Sequence, residues 1–148
     1  MSARILFLCT GNRARSQMAE GLARAMAGPG VEVASAGTKP NPKGVHALAI
    51  EMLRKRGIDA AGQRPKHIND LRGEFDYVIT LCDSAAQECP MYPARRARIH
   101  WGLPDPDLAG ADAVRERAMF VEIRDELERR LRDWLAKEGL LRSGSAKR

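Results

Sequence analysis

Apolar and polar positions along the chain follow two different periods. Four segments are unbroken apolar runs or strict alternations, which is typical of strands: residues 5–8, 31–36, 75–81 and 98–101. Three segments repeat their apolar positions every three or four residues, which is typical of amphipathic helices: residues 16–26, 47–56 and 120–134. The pattern therefore predicts strands and helices in alternation.

This alternation predicts an α/β fold, a three-layer sandwich with a central, mostly parallel four-stranded sheet. Ligands of such folds bind beyond the carboxyl ends of the strands. Three residues with reactive side chains, Cys9, Cys82 and Asp105, each follow a predicted strand. We expect them to lie at one edge of the sheet.

Length and charge limit the number of domains and the kinds of partner. The 148 residues predict a single catalytic domain over residues 1–139, followed by a flexible basic tail at residues 140–148. The net charge is +6, but residues 128–148 carry seven basic and three acidic side chains, so most of it lies at the C-terminal end. Aromatic residues are only 5%, which disfavours a nucleic-acid partner. We expect a monomer.

The three cysteines need a chemical explanation. The chain has neither an apolar run of membrane-spanning length nor a signal peptide, so we expect a cytoplasmic protein without a membrane partner. Thiols stay reduced in the cytoplasm, which excludes a structural disulfide framework. A zinc site is also disfavoured, because Cys-x6-Cys is not a ligand spacing and the three histidines are scattered. We expect no metal ligands.

Residues 9–16, Cys-Thr-Gly-Asn-Arg-Ala-Arg-Ser, lie between a buried strand and the start of a helix. A loop at this position turns successive backbone N–H groups toward one point, and the helix N-terminus adds positive potential. Gly and Asn tolerate the left-handed backbone that such a loop needs. The sequence therefore predicts an oxyanion site, built by Thr10, Gly11, Asn12, Arg13, Ala14, Arg15 and Ser16.

Cys9 is the candidate nucleophile of this site. An unperturbed thiol has a pKa near 8.5, but a helix N-terminus and a nearby arginine lower it, and Ser16 can donate a hydrogen bond to the sulfur. Arg15 can bind two oxygens of the anion with its guanidinium fork. Arg13 either contributes a second cation to the anion or points into solvent, and the residues alone favour neither.

The Cys-x5-Arg-Ser signature resembles that of the low-molecular-weight protein tyrosine phosphatase superfamily, and the resemblance covers nearly the whole chain. It extends to Asp105-Pro106, which matches the family's general acid on a distant loop. The resemblance implies that Asp105 protonates an oxygen leaving group, a step that needs a positioned acid.

Cys82 and Cys89 separate two activities within that superfamily. Residues 82–90 look like the redox helix of its thioredoxin-coupled arsenate reductases. That branch implies a relay in which Cys9 attacks arsenate, Cys82 resolves the adduct and Cys89 forms the final disulfide, which thioredoxin reduces. It implies no tightly bound cofactor.

The alternative is a tyrosine phosphatase acting through a phosphocysteine on phosphate esters, and residual phosphatase activity is compatible with the reductase. A third possibility is a non-catalytic oxyanion-binding or redox-sensing module.

Some reductases of this branch bind potassium near the loop asparagine, and the resemblance raises that possibility here. Asn12, Glu20 and Ser35 match part of such a site, but Gln63-Arg64-Pro65 offers no further acidic ligand. We therefore interpret Glu20 as a solvated or hydrogen-bonded helix residue.

Overall fold

The structure, a computed structural model, describes residues 2–81, 92–106 and 112–143. Its strands are β1 (Ala3–Cys9), β2 (Val31–Gly37), β3 (Tyr77–Thr80) and β4 (Ala97–His100). Its α-helices are α1 (Arg15–Met26), α2 (Ala47–Arg54) and α3 (Ala113–Lys137), and a short 3₁₀ helix covers Ile68–Asp70.

The strands form one four-stranded sheet in the order β2-β1-β3-β4, and every pairing between them is parallel. This confirms the predicted fold class. Parallel neighbours require crossover connections; α1 lies in the crossover from β1 to β2, and α2 in the crossover from β2 to β3. β1 lies inside the sheet between β2 and β3, and its residues 5–8 are fully buried, as the unbroken apolar run predicts.

The two faces of the sheet are covered differently. Ile5 and Phe7 belong to a large core formed with the apolar sides of α1, α2 and α3. Leu6 and Leu8 point to the opposite face, as alternation along a strand requires, and belong to a smaller core that includes Phe75. Cys9 belongs to this smaller core.

Element boundaries differ from the sequence prediction where no apolar pattern marks them. α3 begins at Ala113, seven residues before the predicted start at Phe120, because its first two turns are mostly solvent-exposed. The helix is started there by Asp112, whose side chain accepts hydrogen bonds from Val114 N (2.9 Å) and Arg115 N (3.4 Å).

The packed part of the chain extends beyond the boundary expected after residue 139. Leu140 is buried, and its carbonyl accepts a hydrogen bond from Gly28 N at 2.8 Å. Arg142 N donates to Met26 O at 2.8 Å. The expected tail therefore begins at least three residues later, because residues 140–142 dock onto the end of α1. Residues 144–148 lie outside the described residues.

Candidate active site

Cys9 is the last residue of β1 and is only 3% exposed. Its Sγ lies 2.7 Å from Ser16 Oγ, which is fully buried in the first turn of α1. The geometry matches the hydrogen bond expected between these side chains. The strand therefore fixes the position of the sulfur, and the helix supplies a hydroxyl to it.

The loop between β1 and α1 is tied down through its carbonyl groups. Thr10 O, Gly11 O and Arg13 O accept hydrogen bonds from the backbone N–H groups of residues 39, 41 and 46, at 2.9–3.0 Å. In a planar trans peptide the following N–H points opposite to the carbonyl. The N–H groups of residues 11, 12 and 14 therefore point away from segment 39–46, which is the orientation that a backbone anion cradle needs.

Asn12 shapes this loop with its backbone and its side chain. It is the one non-glycine residue with positive φ (51°) among the described residues, the left-handed conformation that Asn tolerates. Its Oδ1 accepts from Lys66 N at 2.9 Å, and its Nδ2 donates to Ser16 Oγ (2.7 Å) and Ser35 Oγ (2.9 Å). Its carbonyl accepts from Gln17 Nε2 at 2.9 Å. The Asn12 side chain and carbonyl are thus hydrogen-bonded, and the side chain links the loop to Ser35 on β2.

Gly37, at the end of β2, allows the loop to approach the sheet. A Cβ at this position would lie 2.3 Å from Thr10 O and 3.0 Å from Cys9 O. Gly37 is also the register partner of Cys9 in the pairing of β1 with β2. Only a residue without a side chain fits here.

The start of α1 offers donors to an anion. Its N-cap residue, Ala14, makes no side-chain cap hydrogen bond, so the first turn has no side-chain acceptor at this position. Arg15 is 8% exposed, and its NH1 donates to Leu103 O at 2.8 Å. Arg15 Nε is buried and has no hydrogen-bond partner among the described residues. A buried donor of this kind needs an acceptor.

Asp105 lies on the loop after β4, and its Oδ2 is 3.3 Å from Arg15 NH2. Its side chain is 31% exposed, so the carboxyl group is open to solvent on one side. The structure thus brings three of the predicted catalytic residues, Cys9, Arg15 and Asp105, to one edge of the sheet. The sequence did not identify the carbonyl of Leu103 as the group that holds Arg15, because a main-chain acceptor has no sequence signature.

Cys82 and Cys89 lie outside the described residues. The residue before them is described: Leu81 N donates to Leu8 O at 2.9 Å, and Leu81 O accepts from Leu103 N at 2.9 Å. The Leu81 backbone is therefore hydrogen-bonded on one side to the strand that ends at Cys9 and on the other side to the loop that carries Asp105.

Glu20 extends the network away from the loop. It is 4% exposed, so of the two predicted environments the solvated one is wrong and the hydrogen-bonded one is confirmed. Ser35 Oγ donates to Glu20 Oε1 (2.5 Å), Arg24 NH2 donates to Glu20 Oε2 (2.7 Å), and Lys66 Nζ lies 3.8 Å from Oε1. Burial lowers the pKa of Lys66, and the Glu20 carboxylate partly opposes this.

No group of three or more His, Cys, Asp or Glu side chains in residues 2–81, 92–106 and 112–143 could hold a metal ion. No helix in the same part of the chain combines the length and apolar composition needed to cross a membrane.

A sequence profile described as "Low molecular weight phosphotyrosine protein phosphatase" matches residues 4–144 of the chain. The arsenate reductase of Bacillus subtilis (strain 168) is 40% identical over 131 residues, which cover 88% of this chain and 93% of the relative. The match thus spans nearly the full length of both proteins.

Two solved structures have the same fold. An arsenate reductase in its phosphate-binding state superposes with a TM-score of 0.75 at 30% identity and covers 93% of this chain and 98% of its own. A thioredoxin-dependent arsenate reductase from Corynebacterium glutamicum has a TM-score of 0.70 at 32% identity, with 92% of this chain and 61% of that chain covered.

Proposed function

Since this chain belongs to the low molecular weight phosphotyrosine protein phosphatase family, we propose that it is an arsenate reductase that works through three thiols. The observation that carries the proposal is the meeting of Cys9, Arg15 and Asp105 at the carboxyl edge of the sheet. The B. subtilis relative, which aligns over almost its full length, supports arsenate as the substrate.

In the first step, the Cys9 thiolate attacks arsenic and displaces one oxygen of arsenate. Arg15 and the N–H groups of residues 10–16 bind the remaining oxygens, because a guanidinium and successive amides complement a tetrahedral oxyanion. Asp105 donates the proton that lets the displaced oxygen leave as water. The product is a covalent Cys9–arsenic(V) adduct.

The second step is the reduction. The Cys82 thiolate attacks Cys9 Sγ, the sulfur–arsenic bond breaks, and its electron pair stays on arsenic, which leaves as arsenite. Two thiols thus supply two electrons and become the Cys9–Cys82 disulfide. Cys89 then attacks Cys82, which frees Cys9 and leaves a Cys82–Cys89 disulfide. The position of Leu81, between Leu8 and Leu103, supports delivery of Cys82 to this edge.

Thioredoxin is the proposed electron donor. Its dithiol returns two electrons to the Cys82–Cys89 disulfide by the same exchange chemistry. The thioredoxin-dependent C. glutamicum enzyme has this fold at 32% identity, which supports the assignment. We propose that the enzyme acts in the cytoplasm as a monomer, with no tightly bound cofactor and no nucleic-acid or membrane partner. An oxyanion cradle of this shape also accepts phosphate, so residual phosphatase activity is compatible with the proposal.

The test replaces the cysteines one at a time. Cys82→Ser and Cys89→Ser should abolish multiple-turnover arsenate reduction with thioredoxin, because each removes a relay thiol. Hydrolysis of an aryl phosphate by the same variants should persist at the wild-type rate, since a phosphocysteine needs only water. This second substrate is the matched control for folding. Cys9→Ser should abolish both activities.

Two results would contradict the proposal. Unchanged arsenate turnover in both Cys82→Ser and Cys89→Ser would exclude the relay. Arsenate turnover absent from the wild type, with aryl phosphate hydrolysis present, would identify a phosphatase instead.

A further inference from the structure

In the buried hydrogen-bond network behind Cys9, the donor and the acceptor of each bond can be assigned. Lys66 N–H can only donate, so the atom of Asn12 that faces it must be Oδ1, and Nδ2 must face the two serine hydroxyls. Ser16 Oγ and Ser35 Oγ therefore accept from Asn12. Each serine has one hydroxyl hydrogen left, and the nearby acceptors are Cys9 Sγ at 2.7 Å and Glu20 Oε1 at 2.5 Å, respectively.

With these assignments, a series of hydrogen bonds leads from the Glu20 carboxylate to the Cys9 sulfur. The Glu20 carboxylate orients Ser35, Ser35 and Lys66 N–H orient Asn12, and Asn12 orients the Ser16 hydroxyl toward the sulfur. A buried carboxylate needs a cation and hydrogen-bond donors to remain ionised. The identity of that cation therefore matters for the geometry at Cys9.

The oxygen atoms around Glu20 are already hydrogen-bonded to donors of the protein. Asn12 Oδ1 faces Lys66 N–H, Ser35 Oγ faces Asn12 Nδ2, and Glu20 Oε1 faces the Ser35 hydroxyl. Each of these oxygens receives one hydrogen-bond donor and keeps a further lone pair, so the charges nearby, and not the hydrogen bonds, decide whether a free cation binds.

Positive charge is also already present. Arg24 NH2 lies 2.7 Å from Glu20 Oε2, and Lys66 Nζ lies 3.8 Å from Oε1. Lys66 Nζ is held in place by Arg64 O at 2.9 Å, and its side chain is 21% exposed. A free cation beside Glu20 would face two like charges.

We propose that the Lys66 ammonium takes the place of a bound monovalent cation at Glu20, so that this chain holds Ser16 against Cys9 without a free ion. Lys66 is a positioning residue, since it acts on the sulfur through Glu20, Ser35, Asn12 and Ser16. The inference deepens the proposed function and rests on one part of it, that Cys9 is the nucleophile.

The experiment compares wild type with Lys66→Met in potassium chloride and in tetramethylammonium chloride at equal ionic strength. It measures the thermal midpoint and the rate of Cys9 alkylation, followed by peptide mass spectrometry. Wild type should give equal values in both salts. Lys66→Met should alkylate at least threefold more slowly and melt lower in tetramethylammonium, and potassium should restore most of both losses. Lys43→Met, which removes an exposed lysine, is the control and should match wild type.

A second variant covers the case in which Lys66→Met does not fold. The double variant Glu20→Gln/Lys66→Met removes both charges, so it should show no response to potassium. A potassium response in wild type or in the double variant would overturn the proposal, as would a Lys66→Met protein that matches Lys43→Met in tetramethylammonium. Neither readout uses arsenate, so a failure here is distinguishable from a failure of the reductase assignment.

Discussion

Arg15 and Asp105 form an ion pair of 3.3 Å across the mouth of the site, and they are the two residues that would act on opposite parts of the same oxyanion. The pair joins the first turn of α1 to the loop after β4, which are separated by 90 positions in the sequence. Arg15 therefore holds the loop that carries Asp105 near Cys9.

Asp105→Asn tests the acid role. We expect the rate of arsenate reduction to fall by about 100- to 10,000-fold, the usual contribution of a general acid. The affinity for phosphate should stay the same or increase, because Arg15 loses a competing carboxylate. Steady-state turnover and calorimetric phosphate titration measure the two effects.

The control for this substitution is Asp59→Asn, at an exposed position outside the site. It should leave both quantities unchanged. A tenfold or larger loss of phosphate affinity in Asp105→Asn would mean that Asp105 organises the cradle and is not its acid.

Ser16→Ala tests the hydroxyl at the sulfur. We expect it to raise the pKa of the Cys9 thiol and to slow its alkylation at pH 7 by about tenfold, because a hydrogen bond to a charged acceptor contributes about 1.5–3 kcal/mol. The pH dependence of iodoacetamide alkylation at Cys9 measures the change. Ser143→Ala, at an exposed serine, is the matched control, and equal profiles for the two variants would refute the role of Ser16.

Gly37→Ala tests the close approach of the loop to β2. The added Cβ would meet Thr10 O at 2.3 Å, so the cradle must shift. We expect a loss of about 1–3 kcal/mol in the free energy of unfolding, typical of overpacking, together with weaker phosphate binding. Urea denaturation and phosphate titration measure both. Gly62→Ala should be nearly neutral, because a Cβ there meets nothing within 4 Å.

Glu51→Gln tests an ion pair that joins α2 to α3. The hydrogen bond from Arg117 lowers the pKa of Glu51 below its ordinary value of 4.5. The folded state thus binds fewer protons than the unfolded state at mildly acidic pH, so the stabilisation is complete above pH 4.5 and is lost as the pH falls through the lowered value. Glu51→Gln should be less stable than wild type at pH 7, with a difference that closes in acid.

Urea denaturation between pH 3 and pH 7 follows this difference. Glu122→Gln, at an exposed position on α3, is the control and should track wild type at every pH. A constant difference between Glu51→Gln and wild type across this range would show that the Glu51 charge does not contribute.

The central part of the site was predictable because its signals are local. An unbroken apolar run predicts β1, and Cys9, Arg15 and Ser16 follow within eight positions. The general-acid role of Asp105 was predicted only through the family resemblance, since an Asp-Pro pair by itself is typical of a turn. Strand order places the ends of β1, β3 and β4 together, which an alternating pattern already implies.

Lys66 was not predictable from local pattern. It lies 46 positions after Glu20 and reaches it because the chain before the 3₁₀ helix passes the end of β2, where Gly37 N donates to Lys66 O at 2.8 Å. Contacts of this kind are set by tertiary packing. The early start of α3 was missed for a different reason, because its exposed first turns carry no apolar repeat.

The placement of Cys9 in the sheet has a consequence for the mobility of its sulfur. Cys9 ends an interior strand that is hydrogen-bonded on both sides and packed on both faces, which is the part of a fold that opens last. The Cys9 sulfur is therefore held at a fixed position, and any group that reacts with it must move to that position. Amide hydrogen exchange should therefore be slowest in β1, next to the Cys9 sulfur.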